Sequence, residues 1–368
     1  MDRYKDKVLL FAPLNQVGGI AVWTRNLLEY IQANHMDYIV YVDASLCVKN
    51  DANRNSITRV YRGITQTIRL LLKLKKALEV NTPQKVWRSC SGSWGFYREV
   101  VYNWLCKKYG ADSIIHFHFG RIPELCNKKN WEYKIMCKVI KDSRACIIID
   151  QPSYEALCKA GFSRKIFLIP NPCAFDVKRV AEKSIMSKKI DSYLFVGHVV
   201  KAKGVYELVK AFTAMSENLE LCLMGPYEEK DRVYLERIAS QKQLGKWLHI
   251  IGPKEKEYVL MAMQKATALI LPSYTEGFPY VILEAMACGC PILASRVAAI
   301  PDMINWNRED TCGICFESQS IEEVIGGVQL FRSRPQQHHI YALNGKKKVL
   351  DAYTLENIYP LYESVLKV

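Results

Sequence analysis

Two glutamates stand eight positions apart in the run LPSYTEGFPYVILEAMACGCPILAS, residues 271–295. Glu276 lies among turn residues, and Glu284 lies inside an apolar, helix-like stretch. A carboxylate accepts hydrogen bonds, so such a pair suits a ligand rich in hydroxyl donors. The flanking residues say what must position them. ATALILPS (266–273) is apolar and ends at Ser273, as a buried strand would. SYTEGF is a loop in which Gly277 frees the backbone. Pro279 suits a first helical turn, Gly289 suits the end of that helix, and PILAS (291–295) is a second strand. Strand, loop, helix, strand is a parallel crossover unit. Ligands bind such units beyond the carboxyl ends of the strands, where helix N-termini offer N–H groups to anions. The stretch therefore reads as a site for a ligand with both hydroxyls and phosphates. The plain alternative is a pair of solvated glutamates.

The elements around this unit repeat the same alternation. The chain has 368 residues, 49% hydrophobic and 24% charged, which fits a globular protein of two domains. Strands are expected at 7–13, 37–44, 112–120 and 145–151, with an amphipathic helix at 20–32 and a basic one at 65–80. In the latter, Ile68, Leu71, Leu72 and Leu78 are read as one side and Arg69, Lys73 and Lys76 as another. A Pro-containing, charged break at 170–191 separates a second series, with strands at 192–198, 219–225, 248–252 and 312–317 and a helix at 353–368 containing Pro360. This predicts an α/β fold: an N-terminal domain over 1–175, a linker over 176–191, a C-terminal domain over 192–350 and a final helix over 351–368.

No apolar run reaches the ~18–20 residues of a spanning helix. The short apolar run within MDRYKDKVLLFAPLNQ reads as a first strand rather than a signal peptide, because no small-residue cleavage site follows and Gly18-Gly19 opens a helix. Thirteen cysteines, many of them in apolar runs and without disulfide spacing, imply reduced thiols and a cytoplasmic protein. Cys288/Cys290 and Cys312/Cys315 are read as small core residues, since Cys-x-Cys is atypical of structural zinc; no metal site is expected. The net charge of +14 is one-sided: residues 1–180 hold 29 Lys and Arg against 15 Asp and Glu, and the remainder holds 22 of each. A basic first half implies an anionic partner. No nucleic-acid motif accompanies it.

The run EGFPYVILEAMACGCPILAS, set between two α/β series, resembles the retaining glycosyltransferases of family 4, with the GT-B fold: two Rossmann-like domains facing across a cleft, and a C-terminal helix packing back toward the first. The resemblance implies that Glu276 contacts the transferred sugar and that Glu284 binds the ribose hydroxyls of a nucleotide. It places the backbone of Gly277 and Phe278 beside sugar and diphosphate. FVGHVVKAKGVYELVKAF (195–212) resembles the family's phosphate-binding segment, so that Gly197, His198, Lys201 and Lys203 would face the leaving diphosphate. The family has arginine where this chain has His198, and Lys201 is a candidate for the missing charge. APLNQVGGIAVW (12–23) resembles the first loop, where Gly18 and Gly19 let backbone approach the donor, and DSIIHFHFG (112–120) presents His118 near the sugar. LIPNPCAF (168–175) carries Pro172 where glycine is usual, and AAIPDMI (298–304) carries Ala298-Ala299 in place of two glycines.

The resemblance implies transfer from a nucleotide-diphosphate sugar with no further cofactor, in cell-surface polysaccharide biosynthesis. The chain has no Asp-x-Asp run. Lys203 and helix N-termini would then stabilise the leaving diphosphate. A front-face route fits better than a double displacement, which needs a carboxylate nucleophile and leaves only Glu276 to supply one. The acceptor, a glycan or a polyprenyl-phosphate-linked carrier, would meet the first domain. The 65–80 helix and the aromatic-basic run at 85–104 suit peripheral attachment to the anionic inner face of the cell membrane. The competing readings are a nucleotide-sugar epimerase and a non-catalytic nucleotide-sugar binder.

Overall fold

A computed structural model describes residues 7–16, 18–46, 56–242 and 246–368, with backbone alone for 56–62. Residues 1–6, which precede the expected first strand, and Val17, in the expected glycine loop, lie outside the described residues. The chain divides into two compact units, Met1–Pro172 with Ile358–Val368, and Cys173–Asn357.

The first unit runs β1 (Val8–Ala12), α1 (Gly19–Ala33), β2 (Ile39–Asp43), α2 (Ser56–Asn81), β3 (Lys85–Cys90), α3 (Gly95–Lys108), β4 (Asp112–Phe117), α4 (Ile122–Lys128), α5 (Trp131–Asp142), β5 (Ala145–Ile148), α6 (Gln151–Lys159) and β6 (Ile166–Leu168). Its six strands are parallel in the order β2-β1-β3-β4-β5-β6. Strands such as VLLFA are buried at every residue, as a parallel sheet covered on both faces requires.

Against one face of this sheet, Leu70, Leu74, Ala77 and Leu78 of α2 and Tyr102, Leu105 and Cys106 of α3 pack on Leu9, Phe11 and Val86. This corrects the stripe expected on α2. Ile68 and Leu72 are exposed, and the buried row is Leu70, Leu74, Ala77, Leu78. Three consecutive leucines, 70–72, left the helical phase open by one residue; Leu74 and Ala77 decide it. On the other face, Trp23, Trp87, His116 and Tyr362 form an aromatic cluster, in which the Trp23 indole donates to the Tyr362 hydroxyl at 3.1 Å.

The second unit runs α7 (Phe175–Ala181), β7 (Ser192–Val196), a 3₁₀ turn (Lys201–Lys203), α8 (Val205–Ala214), β8 (Glu220–Met224), α9 (Glu229–Ala239), β9 (Leu248–Gly252), α10 (Lys256–Lys265), β10 (Ala268–Leu271), α11 (Tyr280–Ala287), β11 (Ile292–Ser295), α12 (Ile300–Met303), β12 (Gly313–Phe316), α13 (Ile321–Arg332) and α14 (Pro335–Ala352). Its parallel order is β12-β11-β10-β7-β8-β9. The segment expected as a linker belongs to this unit. Its α7 packs on α11 and α14, and the buried Lys346 ammonium donates to the carbonyls of Val180, Lys183 and Ala287 at 2.9–3.0 Å. One cation thereby caps the C-terminal ends of α7 and α11. The final helix, α15 (Leu355–Lys367), starts in the second unit and ends in the first, with Pro360 inside it. Among the described residues no helix is long and apolar enough to cross a membrane.

Candidate functional site

In the second unit the chain moves from β7 outward through β8 and β9, then returns to place β10 on the other side of β7. The order reverses between β7 and β10, and such a switch point opens a crevice at the carboxyl ends of the two strands. The segments leaving those ends are Gly197–Gly204 and Pro272–Pro279, the two that carry most of the expected site residues.

Glycines permit the approach. Gly204 has φ +70°, and a Cβ there would lie 2.0 Å from the Pro272 carbonyl oxygen. Gly225, which follows β8, has φ +145°, and a Cβ there would lie 2.0 Å from the Gly197 carbonyl oxygen. The two site segments are then tied by the Tyr274 amide, which donates to Ala202 at 3.1 Å. The result brings the Lys203 ammonium to 2.6 Å from a Glu276 carboxylate oxygen, with Glu276 nearly buried and Lys203 about one-third exposed. His198 and Lys201 are exposed. The nearby Tyr274 hydroxyl is pushed up to about 12, chiefly by desolvation and then by its hydrogen bond to Glu207.

Gly277 accepts a hydrogen bond from Ala299 at 3.3 Å, and buried Phe278 packs edge-on against Tyr353 with ring centroids 5.8 Å apart. Pro279 is the residue before α11 rather than part of its first turn; its ψ of 113° is extended. Gly289, with φ +63°, ends the helix as expected. Glu284 is the fifth residue of α11 and is partly buried. Desolvation pushes its carboxyl up to about 7, against a downward pull from Lys256, which is itself engaged by Asp176 at 2.7 Å. The Ala298 backbone takes φ +46°, a left-handed angle that glycine adopts freely and alanine does not.

In the first unit the strand order reverses between β1 and β3. Gly18, with φ +135°, sits just before α1, and Gly19 is the first residue of that helix; both are exposed beyond the end of β1. His118 follows β4. Its ring lies 3.9 Å from that of His116 and 4.8 Å from Trp23, and none of the four histidine ring nitrogens has a hydrogen-bond partner among the described residues. Burial pushes the His118 imidazole down to about 3 and lowers His116 as well, so both are neutral at pH 7. A neutral His118 offers one donor and one acceptor and no positive charge.

The sequence reading missed Gly225, although a glycine directly after a strand repeats the Val196-Gly197 signal. It also missed a buried network on β3 and α3. Arg88 donates to Glu99 at 3.0 Å, to Asn103 at 2.6 Å and to Ser113 at 2.9 Å. A narrow cavity beside it is lined by Arg98, Glu99 and Tyr102.

Residues 178–348 match the family model described as "Glycosyl transferases group 1". The whole chain superposes on sucrose-phosphate synthase from Thermosynechococcus elongatus with a TM-score of 0.74 at 16% identity, covering 99% of this chain and 98% of that one. Anabaena HepE in complex with UDP-glucose gives 0.70 at 14% identity, covering 99% and 100%. An uncharacterised glycosyltransferase of Methanocaldococcus jannaschii is 26% identical over 246 residues, 63% of this chain and 60% of the relative. The lipopolysaccharide 1,2-N-acetylglucosaminetransferase of Salmonella typhimurium is 23% identical over 274 residues, 70% of this chain and 67% of the relative. The chain spans 60%, 48% and 30% of the length of three of these curated relatives, the M. jannaschii protein and two other uncharacterised glycosyltransferases. Two parallel six-stranded sheets with interleaved helices give this chain the GT-B fold of these structures, and residues 178–348, within the second unit, are similar to the group 1 glycosyl transferases.

Proposed function

We propose that this protein is a retaining, family 4 glycosyltransferase that moves a sugar from a nucleotide-diphosphate sugar to a glycan or lipid-linked acceptor in cell-surface polysaccharide synthesis. The observation that carries the reading is the Lys203–Glu276 pair, held at 2.6 Å at the β7/β10 switch point with Glu284 on the helix that follows. Sugar and diphosphate are adjacent in such a donor, as the cation and the carboxylate are here. Glu276 accepts hydrogen bonds from sugar hydroxyls, Lys203 turns to the diphosphate, and Glu284 accepts from the ribose. The glycosidic C–O bond breaks toward the β-phosphate, and Lys203 with the α11 N-terminus stabilises the charge that develops there. On a front-face route the acceptor hydroxyl passes its proton to that phosphate oxygen as the new bond forms on the same face. The lipopolysaccharide transferase relative and the UDP-glucose-bound structural neighbour support this choice of chemistry. The family match does not favour the epimerase or non-catalytic readings.

Calorimetry with a panel of nucleoside diphosphates and their sugars tests the proposal. One base series is expected to bind, and Glu284→Ala is expected to weaken it by about 1–3 kcal/mol. No binding across the panel, or a folded Glu284→Ala variant with unchanged affinity, overturns the assignment.

A further inference from the structure

In the first unit α3 packs between α2 and α5 on one face of the sheet. It buries Phe96, Glu99, Tyr102, Asn103, Leu105 and Cys106. Trp94, Tyr97, Val101 and Trp104 recur at three- and four-residue steps, a single stripe along the helix, and point the other way. They are 75%, 48%, 39% and 59% exposed. Trp131, at the start of α5, extends the stripe sideways, with its ring centroid 5.1 Å from Trp94 and 5.7 Å from Tyr97. On α2, the exposed Ile64, Ile68 and Leu72 form a second outward row at four-residue steps. The outer surface of this helical layer thus carries two apolar rows, one on α2 and one on α3, the second widened by Trp131 at the start of α5. Exposed apolar rows of this size mark an interaction site.

The charges around it select the partner. Lys73, Lys75 and Lys76 on α2, Lys107 and Lys108 on α3, and Lys134, Lys138 and Lys141 on α5 are exposed. The acidic side chains exposed on these helices are engaged: Glu79 accepts from the Tyr109 hydroxyl at 2.7 Å, and Asp142 pairs with Lys138 at 3.0 Å. Glu99 and Glu132 turn inward. Lysine is depleted from protein–protein interfaces, and a second copy of this chain would bring like charges together. Exposed tryptophan and tyrosine ringed by lysine is instead the composition of a surface seated among anionic lipid headgroups.

We propose that the outer face of α2, α3 and α5 docks on an anionic lipid bilayer, with Trp94, Tyr97, Trp104 and Trp131 entering the headgroup layer and the lysines binding anionic headgroups. The aromatic row of α3 then supplies the centre of the contact, and the basic α2 helix one flank of it. The proposal does not depend on the sugar-transfer reading.

Flotation of the full chain with vesicles of mixed phosphatidylglycerol and phosphatidylcholine tests it, with pure phosphatidylcholine as the control. The protein is expected to float with the anionic vesicles and to be released by salt. Trp94→Ser with Trp104→Ser, and separately Lys76→Gln with Lys107→Gln and Lys134→Gln, are each expected to weaken partition about tenfold or more. Lys254→Gln with Lys265→Gln, in the second unit, is expected to leave it unchanged. All these positions are exposed, so melting temperature and nucleoside-diphosphate affinity are expected to stay at parental values, which separates failure here from failure of the donor assignment. Absence of flotation, flotation insensitive to the tryptophan pair, or a dimer in solution that these variants dissociate while vesicle binding is absent, overturns the proposal.

Discussion

The two units fold the same kind of sheet but hold their central ion pairs differently. In the first, Arg88 and Glu99 are both almost fully buried, and Asn103 and Ser113 accept further hydrogen bonds from the guanidinium. In the second, Lys203 meets Glu276 at the mouth of a crevice with about one-third of the lysine exposed. A buried pair surrounded by hydrogen bonds has no other partner to take and serves to lock β3 against α3. A pair at strand ends can trade its internal contact for a phosphate and a hydroxyl. Both sheets are parallel and six-stranded, though one strand lies outside β1 in the first and two lie outside β7 in the second; the depth of the charge separates scaffold from site.

Substitutions sharpen that contrast. Arg88→Met leaves Glu99 buried without its cation and is expected to cost about 3–5 kcal/mol of stability, measured by denaturant unfolding. A loss below about 1 kcal/mol would erase the distinction between the units. Lys203→Ala should do the reverse. Its stability is expected to stay within about 1 kcal/mol of the parent, while turnover at saturating donor falls roughly 10²–10³-fold, because the lost charge acts on the leaving diphosphate. Parental turnover would pass the role to Lys201.

The smallest effect is a pH dependence. The Glu284 carboxyl is raised from its ordinary 4.5 to about 7. Between those values the unfolded chain releases this proton first, so the stability Glu284 contributes is present below about pH 4.5 and lost as pH rises through about 7. Glu284→Gln removes the dependence. Its stability relative to the parent should be near zero at low pH and rise by about 2–3 kcal/mol at pH 8, seen as a growing difference in melting temperature. Nucleoside-diphosphate binding by the parent should strengthen through the same window, since ribose hydroxyls require the carboxylate. A flat parental profile would place Glu284 outside the ribose site.

The second unit was largely legible because its signals are local. The strand, loop, helix and strand over 266–295 emerged as β10, α11 and β11, and Gly289 ended its helix. The first unit was harder to read. The segment KVWRSC looks too polar for a central strand, yet β3 is one, with Lys85 and Arg88 buried. Their compensation comes from distant residues: Leu366 accepts from Lys85, and Ser113 with α3 surrounds Arg88. The same distance hid the outward row on α3. Trp87, Trp94 and Trp104 share one aromatic-basic run, but only Trp87 is core. Which face of a helix is covered depends on its neighbours, and composition alone does not carry that. The left-handed backbone of Ala298 was foreshadowed differently, by alanines standing where the resembled family has glycines.

The return of residues 358–368 to the first unit sets an order of assembly during synthesis. Trp23 and Lys85 are made early, but the Tyr362 hydroxyl and Leu366 carbonyl they bond are made only after all of residues 173–357. A ribosome completes the second unit's sequence while the first still lacks its last helix. Domains usually finish folding in the order they emerge. Here the unit begun first is completed last, so the chain carries an open aromatic face through most of its translation.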